Sequence, residues 1–246
     1  MHIINNFKRK ENKYIININD IDNLISSLGE LISVTDSGIT NTLYFDTDVY
    51  KFFVDGIVSK DKKFKVRLRK YDSADKVYME YKIKDEDGMS LKHRILMTDD
   101  NSINILVNRT ISSDELGYIY KLNSDIPNDE VKLLIFNIMV MKLHPTLQTS
   151  YIRTSYENMD LNNLRITIDT DILYEPKNSF MWNFDRSEMK VFDLLNDKSI
   201  VEIKYENNLS IRVKNILLNL DMNPVKFSKY INMLLDDMLI NYIKIK

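Results

Sequence analysis

The stretch Phe64–Tyr71 constrains the fold more than any other part of the chain. It reads Phe-Lys-Val-Arg-Leu-Arg-Lys-Tyr, so Phe64, Val66 and Leu68 alternate with Lys65, Arg67 and Arg69. A period of two puts the apolar residues on one face of a β-strand and the cations on the other. One such strand is ordinary, because its charges can sit in water. The informative point is recurrence. Val77–Lys84 places Glu80, Lys82 and Lys84 on one face, and Leu91–Leu96 offers Lys92 and Arg94. Tyr151 shares a face with Arg153; Arg165 shares one with Thr167 and Asp169, backed by Leu164, Ile166 and Ile168. Ser199–Tyr205 sets Glu202 and Lys204 against Val201 and Ile203. Six strands thus carry one charged, mostly cationic face and one apolar face.

Two architectures satisfy that pattern. An antiparallel sheet can bury its apolar face on helices and leave the charged face in water. Alternatively, the sheet closes into a barrel with a charged interior and helices outside. The second arrangement requires an anionic ligand, because buried like charges without partners are prohibitively unfavourable.

Composition narrows the function classes. At 44% hydrophobic and 28% charged residues, the 246-residue chain can form a packed core, and we read it as one domain over 1–246. The formal net charge of −2 disfavours nucleic-acid binding by bulk charge, so any basic site is local. With no cysteine, disulfides, thiolate catalysis and Cys-based zinc sites are excluded, which suits a cytoplasmic location. The N-terminus lacks the apolar run of a signal peptide, and Val131–Leu143, interrupted by Lys132, Asn137 and Lys142, is too short to span a bilayer. Five glycines form no Walker or dinucleotide loop, and His2, His93 and His144 have no metal-binding spacing.

The remaining elements follow from local signals. Arg9–Ile16 reads as a strand with Arg9, Glu11 and Lys13 on one side. Asp20 or Asp22 caps a helix to about Ile32, striped by Ile21, Leu24, Ile25 and Leu28. Thr42–Phe45 reads as a short strand, and Asp46-Thr-Asp48 caps a short helix through Tyr50, Phe53, Val54 and Ile57. Asp85–Gly88 is a hairpin turn. The strand pattern stops between Thr98 and His144, where Asn128 or Asp129 caps a helix ended by His144-Pro145. Its apolar residues run nearly all round, which predicts burial. Strands resume at Gln148–Glu157 and Leu164–Asp171. Tyr174–Asp197, with Pro176 and Trp182, reads as a loop or lid. Helices over about Ser210–Leu220 and Val225–Tyr242 complete the chain, with Tyr78, Tyr81 and the Met and Leu residues of the last helix assigned to the core.

Nine segments in order carry a family resemblance: Arg9-x-Glu-x-Lys13-Tyr, Tyr44-Phe-Asp-Thr47, Lys65-Val-Arg67-Leu-Arg69, Glu80-Tyr-Lys82, Ser90-Leu-Lys92, Tyr151-Ile-Arg153, Leu164-Arg165-Ile-Thr-Ile-Asp169, Val201-Glu202-Ile-Lys204 and Phe227-Ser-Lys229-Tyr. Together they resemble the polyphosphate polymerase domain of the vacuolar transporter chaperone family, among the triphosphate tunnel metalloenzymes, from about Arg9 to Tyr230.

The resemblance implies an α+β fold, an antiparallel eight-stranded β-barrel tunnel with a charged interior covered by helices. It implies a polymerase that moves the γ-phosphate of ATP to polyphosphate, with Mn²⁺ or Mg²⁺ as cofactor. Catalytic positions carried over are Arg67, Arg69, Lys82, Arg153 and Arg165; substrate-binding ones are Lys13, Lys92, Tyr151, Lys204 and Lys229; the metal position is Glu202. Arg94 and Glu80 join the tunnel face by parity. Arg9 stands where hydrolytic relatives carry a glutamate, which favours the polymerase branch. A triphosphatase of the same fold and a non-enzymatic polyphosphate-binding module remain the alternatives. The regulatory domain and membrane segments of eukaryotic relatives are missing, so the expected membrane partner is a separate chain.

Overall fold

Strands with two unlike faces need two different environments, and the sheet provides both. The computed structural model of the chain describes residues 9–58, 63–71, 77–84, 90–177 and 184–245. Eight strands form one antiparallel sheet: β1 (Arg9–Asn17), β2 (Ser33–Asp46), β3 (Lys63–Tyr71), β4 (Val77–Lys84), β5 (Ser90–Met97), β6 (His144–Asn158), β7 (Leu164–Pro176) and β9 (Lys198–Glu206). Their spatial order is β1-β9-β7-β6-β2-β3-β4-β5, and the two-residue β8 (Lys190–Val191) pairs with β7. The register sets Arg67 opposite Glu80, Glu80 opposite Arg94, Arg153 opposite Asp169 and Thr167 opposite Glu202. The polar residues therefore share one face across the whole sheet.

The other face packs on helices in two places. Val66, Leu68, Met79 and Ile95 meet residues of α4 (Ser113–Leu122) and α5 (Asn128–Val140), together with Ile105 and Leu106, which follow α3 (Asp99–Ile103). Tyr14, Ile166, Val201 and Ile203 meet Leu24 and Leu28 of α1 (Ile21–Leu28) and Val213 and Leu217 of α6 (Ile211–Asn219). Burial of each such aliphatic side chain contributes roughly 1.5–3 kcal/mol. A third cluster lies at one end of the charged face. There Tyr44, Tyr151 and Ile200 pack against Phe227, just ahead of α7 (Lys229–Ile245), and against Tyr230, Met233 and Leu234 within it.

One buried carboxylate fixes how α7 docks. Asp46, fully buried, accepts hydrogen bonds from the backbone amides of Phe52 and Phe53 in the first turn of α2 (Lys51–Val58), each at 2.9 Å. It also accepts one from the Tyr230 hydroxyl at 2.6 Å. The cap expected at Asp46-Thr-Asp48 is therefore made by Asp46, helped by Thr47, whose hydroxyl accepts from the Lys51 amide at 3.1 Å. Tyr230 stacks on Tyr44 with ring centroids 5.2 Å apart, tying α7 to β2. Gly56 lets α2 approach α7 closely, since a Cβ there would overlap the Ile231 side chain.

The structure corrects several expectations. β2 begins at Ser33, well before Thr42; its first residues are exposed and polar, so no alternation announces them. The first α-helix stops at Leu28, because Gly29 turns to positive φ (49°) and a short 3₁₀ turn follows. α5 follows Pro127, and neither Asn128 nor Asp129 caps it; it ends at Val140, and His144-Pro145 open β6. Nor is α5 buried all round: Leu133, Phe136 and Val140 are about 60% exposed. The last helix starts at Lys229, because Val225 instead bonds the Lys13 carbonyl at 2.7 Å. Tyr78 is not core but lies under the Arg94 guanidinium, 3.7 Å from its ring centroid. The stretch Tyr174–Asp197 holds the end of β7, all of β8 and a 3₁₀ turn at Asp193–Leu195, whereas Trp182 and the Asp85–Gly88 turn lie outside the described residues. The sheet curls around its charged face without a β1–β5 ladder among the described residues. No helix among them is long and apolar enough to cross a membrane.

Asp46→Ala removes a cap and a buried hydrogen bond to a charged acceptor, together worth about 3 kcal/mol. The expected fall in Tm for a chain of this length is roughly 6–12 °C, measured by calorimetry. A fall below about 2 °C would remove Asp46 from this role.

Candidate active site

The inner face encloses a cavity of about 150 Å³ lined by nine cationic side chains and four carboxylates. β1 contributes Glu11 and Lys13; β9 contributes Glu202 and Lys204. Asp169 comes from β7, and Tyr151 and Arg153 from β6. From the far half of the sheet come Tyr44, Lys65, Arg67, Arg69, Glu80, Lys82 and Lys92, while Lys229 enters from α7. All but Lys229 arrive by strand parity, as alternate residues on strands whose other face is apolar.

Two buried carboxylates organise the cations. Glu80, 1% exposed, lies 2.6 Å from Arg67 Nε, 2.7 Å from Lys92, 3.2 Å from Arg94 Nε and 3.9 Å from Arg69. Asp169, also 1% exposed, accepts Arg153 through two parallel hydrogen bonds of 2.6 and 2.7 Å, and accepts Lys229 as well. The Arg153 fork is thereby locked in one plane, with its guanidinium 5.2 Å from the Tyr151 ring centroid. Arg69 donates to Thr42 and to the Tyr151 hydroxyl, each at 3.3 Å.

A second acidic group lies on the other side. Glu202 is 3.2 Å from Lys204, 3.6 Å from Lys13 and 3.9 Å from Arg153. Glu11 is 3.5 Å from Lys13, 3.8 Å from Lys204 and 3.9 Å from Lys82. Lys82 of β4 thus reaches a carboxylate of β1, showing how far the sheet curls. The Lys13 ammonium also donates to the Phe227 carbonyl at 3.1 Å, joining β1 to the segment before α7.

Ionisation follows from these contacts. Burial pushes the Glu80 carboxyl up, but Arg67, Arg69 and Lys92 outweigh it and hold Glu80 well below the usual carboxylate range. Burial is likewise outweighed at Glu202, by Lys204, Lys13, contact with Glu11, and Arg153. Asp169 is held at about 2 by Arg153 and Lys229 against the effect of burial. Burial, with Arg67 and Arg69 close by, lowers Lys92 to about 8 despite Glu80. At Tyr44, burial alone would raise the phenol, and Arg67, Arg69 and Lys229 reverse that and lower it.

Of the positions named from sequence, Lys13, Arg67, Arg69, Lys82, Lys92, Tyr151, Arg153, Glu202, Lys204 and Lys229 line the cavity together. Arg165 does not. It shares the face but lies near one end of β7, 39% exposed and 3.3 Å from Glu157. Arg94 lies beside the cavity on Glu80 and Tyr78. Residues not singled out as ligands also line it: Lys65, Tyr44, Asp169 and Ser228. Parity alone would have included Lys65 and Asp169, since they alternate with Arg67 and with Thr167.

With the geometry in place, comparison with known proteins assigns the family. A family model described as the VTC domain matches residues 8–235. The chain belongs to the VTC domain family. That makes it a tunnel-fold, phosphate-related enzyme. A search of the curated proteins returned no match. Solved structures similar to this VTC domain include a Bacillus halodurans protein provisionally described as an adenylate cyclase (14% identity, 92% of this chain and 97% of that one, TM-score 0.49). Another is the PH1819 protein of Pyrococcus horikoshii (13%, 93% and 99%, TM-score 0.46). A third, an adenylyl cyclase candidate from Hippeastrum described as having a dominant triphosphatase activity, is 16% identical over 89% of this chain and 92% of that one (TM-score 0.47).

The donor set suits a hard divalent cation of partial protein ligation. Among the described residues no three His, Asp or Glu side chains converge as a cage. Magnesium-like ions, however, commonly take one or two carboxylates and complete their shell with water and substrate phosphate oxygens. Glu202, with Glu11 in contact, supplies such a pair on the cavity wall.

Asp169 gives a pH signature. A carboxyl held at about 2 instead of its ordinary 3.8 contributes about 2 kcal/mol of stability. Because the folded value is depressed, that stability is present above pH ~4 and disappears as pH falls through ~2. Asp169→Asn should flatten the dependence of the urea midpoint between pH 5 and pH 2, relative to the unsubstituted protein. Parallel curves would contradict the assignment.

Proposed function

We propose that this VTC domain is a metal-dependent polyphosphate polymerase, transferring the γ-phosphate of ATP to a growing polyphosphate chain. The observation that carries the reading is the convergence on one cavity of nine cations, eight from facing strands and Lys229 from α7. A flat basic patch meets a linear polyanion on one side; a curled sheet meets it on several.

The chain's residues divide the work. Arg153 and Arg67 hold the transferred phosphoryl group through the nitrogens that Asp169 and Glu80 leave available, the plane of Arg153 already fixed by its two bonds to Asp169. Arg69, Lys82, Lys92 and Lys204 neutralise neighbouring phosphates, and Lys229 faces the same groups from α7. Tyr151 orients Arg69 and Arg153. Glu202, with Glu11, would hold Mn²⁺ or Mg²⁺, whose charge offsets that of the phosphate oxygens. The acceptor, a terminal phosphate, is already an anion near neutral pH, so no side chain has to remove a proton. Catalysis then consists of alignment and charge neutralisation. We assign the reaction to the cytoplasm, with ATP and polyphosphate as ligands.

The Glu11–Glu202 pair favours a second reading. Two adjacent carboxylates at the metal position can orient water, which would make the chain a triphosphatase. Product analysis separates the two. From ATP and Mn²⁺ the polymerase yields ADP and long polyphosphate, after a lag that short polyphosphate shortens, with little orthophosphate. Orthophosphate as the sole product, even with primer present, would install the triphosphatase. Intact ATP with tight binding would leave a binding module.

Arg153→Lys keeps the charge and loses the fork. Its kcat should fall by roughly tenfold to a thousandfold, the loss of about one to three transition-state hydrogen bonds. Unchanged steady-state kinetics would take Arg153 off the phosphoryl group.

A further inference from the structure

The ion pairs of the cavity leave one cation over. Lys13, Arg67, Arg69, Lys82, Lys92, Arg153, Lys204 and Lys229 each have a carboxylate oxygen within 4 Å. Lys65 has none among the described residues. Its Nζ donates instead to the Ser228 hydroxyl at 2.8 Å, just before α7. The charged groups facing it are Lys13 and Glu11 from β1, Lys82 from β4 and Arg67 on its own strand. Asp46, at the end of the neighbouring strand, is already committed to α2 and Tyr230.

An unmatched ammonium among other cations is unfavourable in the empty cavity. Eight cations meet an incoming phosphate with charge already shared with a protein carboxylate; Lys65 meets it with none. We propose that Lys65 is a phosphate contact charged by its own ligand: above neutrality it sits largely as the amine in the empty cavity, and it takes up a proton from solvent when a phosphate oxygen arrives to accept its hydrogen bond. Burial, with Lys13, Lys82 and Arg67 close by, brings the Lys65 ammonium down to about 7, against the opposite pull of Glu11. Binding should therefore draw in protons above neutrality and hardly any below it. This inference rests on the phosphate-binding reading above and deepens it.

The test is calorimetric titration with tripolyphosphate, without metal, in two buffers of different ionisation enthalpy. Because the ligand titrates too, the quantity read is the proton uptake of the unsubstituted protein minus that of Lys65→Met. A group near 7 that becomes fully charged gives a difference of about 0.9 proton at pH 8 and about 0.1 at pH 6. Lys65→Met should weaken binding by roughly tenfold to a hundredfold. Lys65→Arg, which stays protonated, should bind well without the extra uptake. Loss of an unmatched charge should also leave Lys65→Met at least as thermostable as its parent when no ligand is present, which separates weak binding from misfolding. Equal uptake in parent and Lys65→Met, or equal affinity, overturns the role of Lys65 and leaves phosphate binding standing. Failure of the parent protein itself to bind tripolyphosphate overturns both.

Discussion

Two buried carboxylates, Glu80 and Asp169, make the rest of this structure attainable. Seven strands bring cations to a common face, and a sheet that curls on that face would concentrate like charge in a small volume. Glu80 gathers Arg67, Arg69, Lys92 and Arg94, while Asp169 gathers Arg153 and Lys229. Each carboxylate offsets part of the repulsion, and Asp169 also fixes the plane of Arg153. Removing one partner from such a group leaves buried charge unmatched, which costs several kcal/mol. Stability and the proposed phosphate site are thus set by the same side chains.

The apolar end of the inner face links that site to the helices. Asp46 caps α2 and holds Tyr230, and Tyr230 stacks on Tyr44 beside the cavity. Lys229, one residue earlier, is carried to Asp169 by this docking, with its ammonium 4.4 Å from the Tyr151 ring centroid. The Tyr44-Phe-Asp and Phe227-Ser-Lys-Tyr segments are far apart in sequence, yet they meet as one device. It places a helix and a lysine at the end of the cavity.

Much of this was legible because strand parity is a local property. Lys65, Arg67 and Arg69 must share a face whenever Val66 and Leu68 are buried, and the same logic places Glu202 with Lys204. Parity does not reveal which charges pair. Glu80 and Lys82 share a face, but Glu80 turns to Arg67 and Lys92 while Lys82 reaches Glu11 across the cavity. It also does not say where along a strand the cavity ends, which is why Arg165 shares the face and stands outside. The first half of β2 stayed hidden because it is exposed and polar, with ladder hydrogen bonds to β6 and little core contact. α5 misled for the opposite reason. Its sequence is apolar on all sides, while the fold buries only Val131, Leu134, Ile135 and Ile138.

The central claim is that these paired cations form a receptor for a linear phosphate anion. A crystal structure with bound tripolyphosphate tests it most directly. The account predicts the anion inside the cavity, its oxygens on Arg67, Arg153 and Lys82, with Asp169 still bonded to Arg153 and Glu80 to Arg67. An empty cavity at saturating tripolyphosphate, or an anion held only on the outer surface, would contradict it.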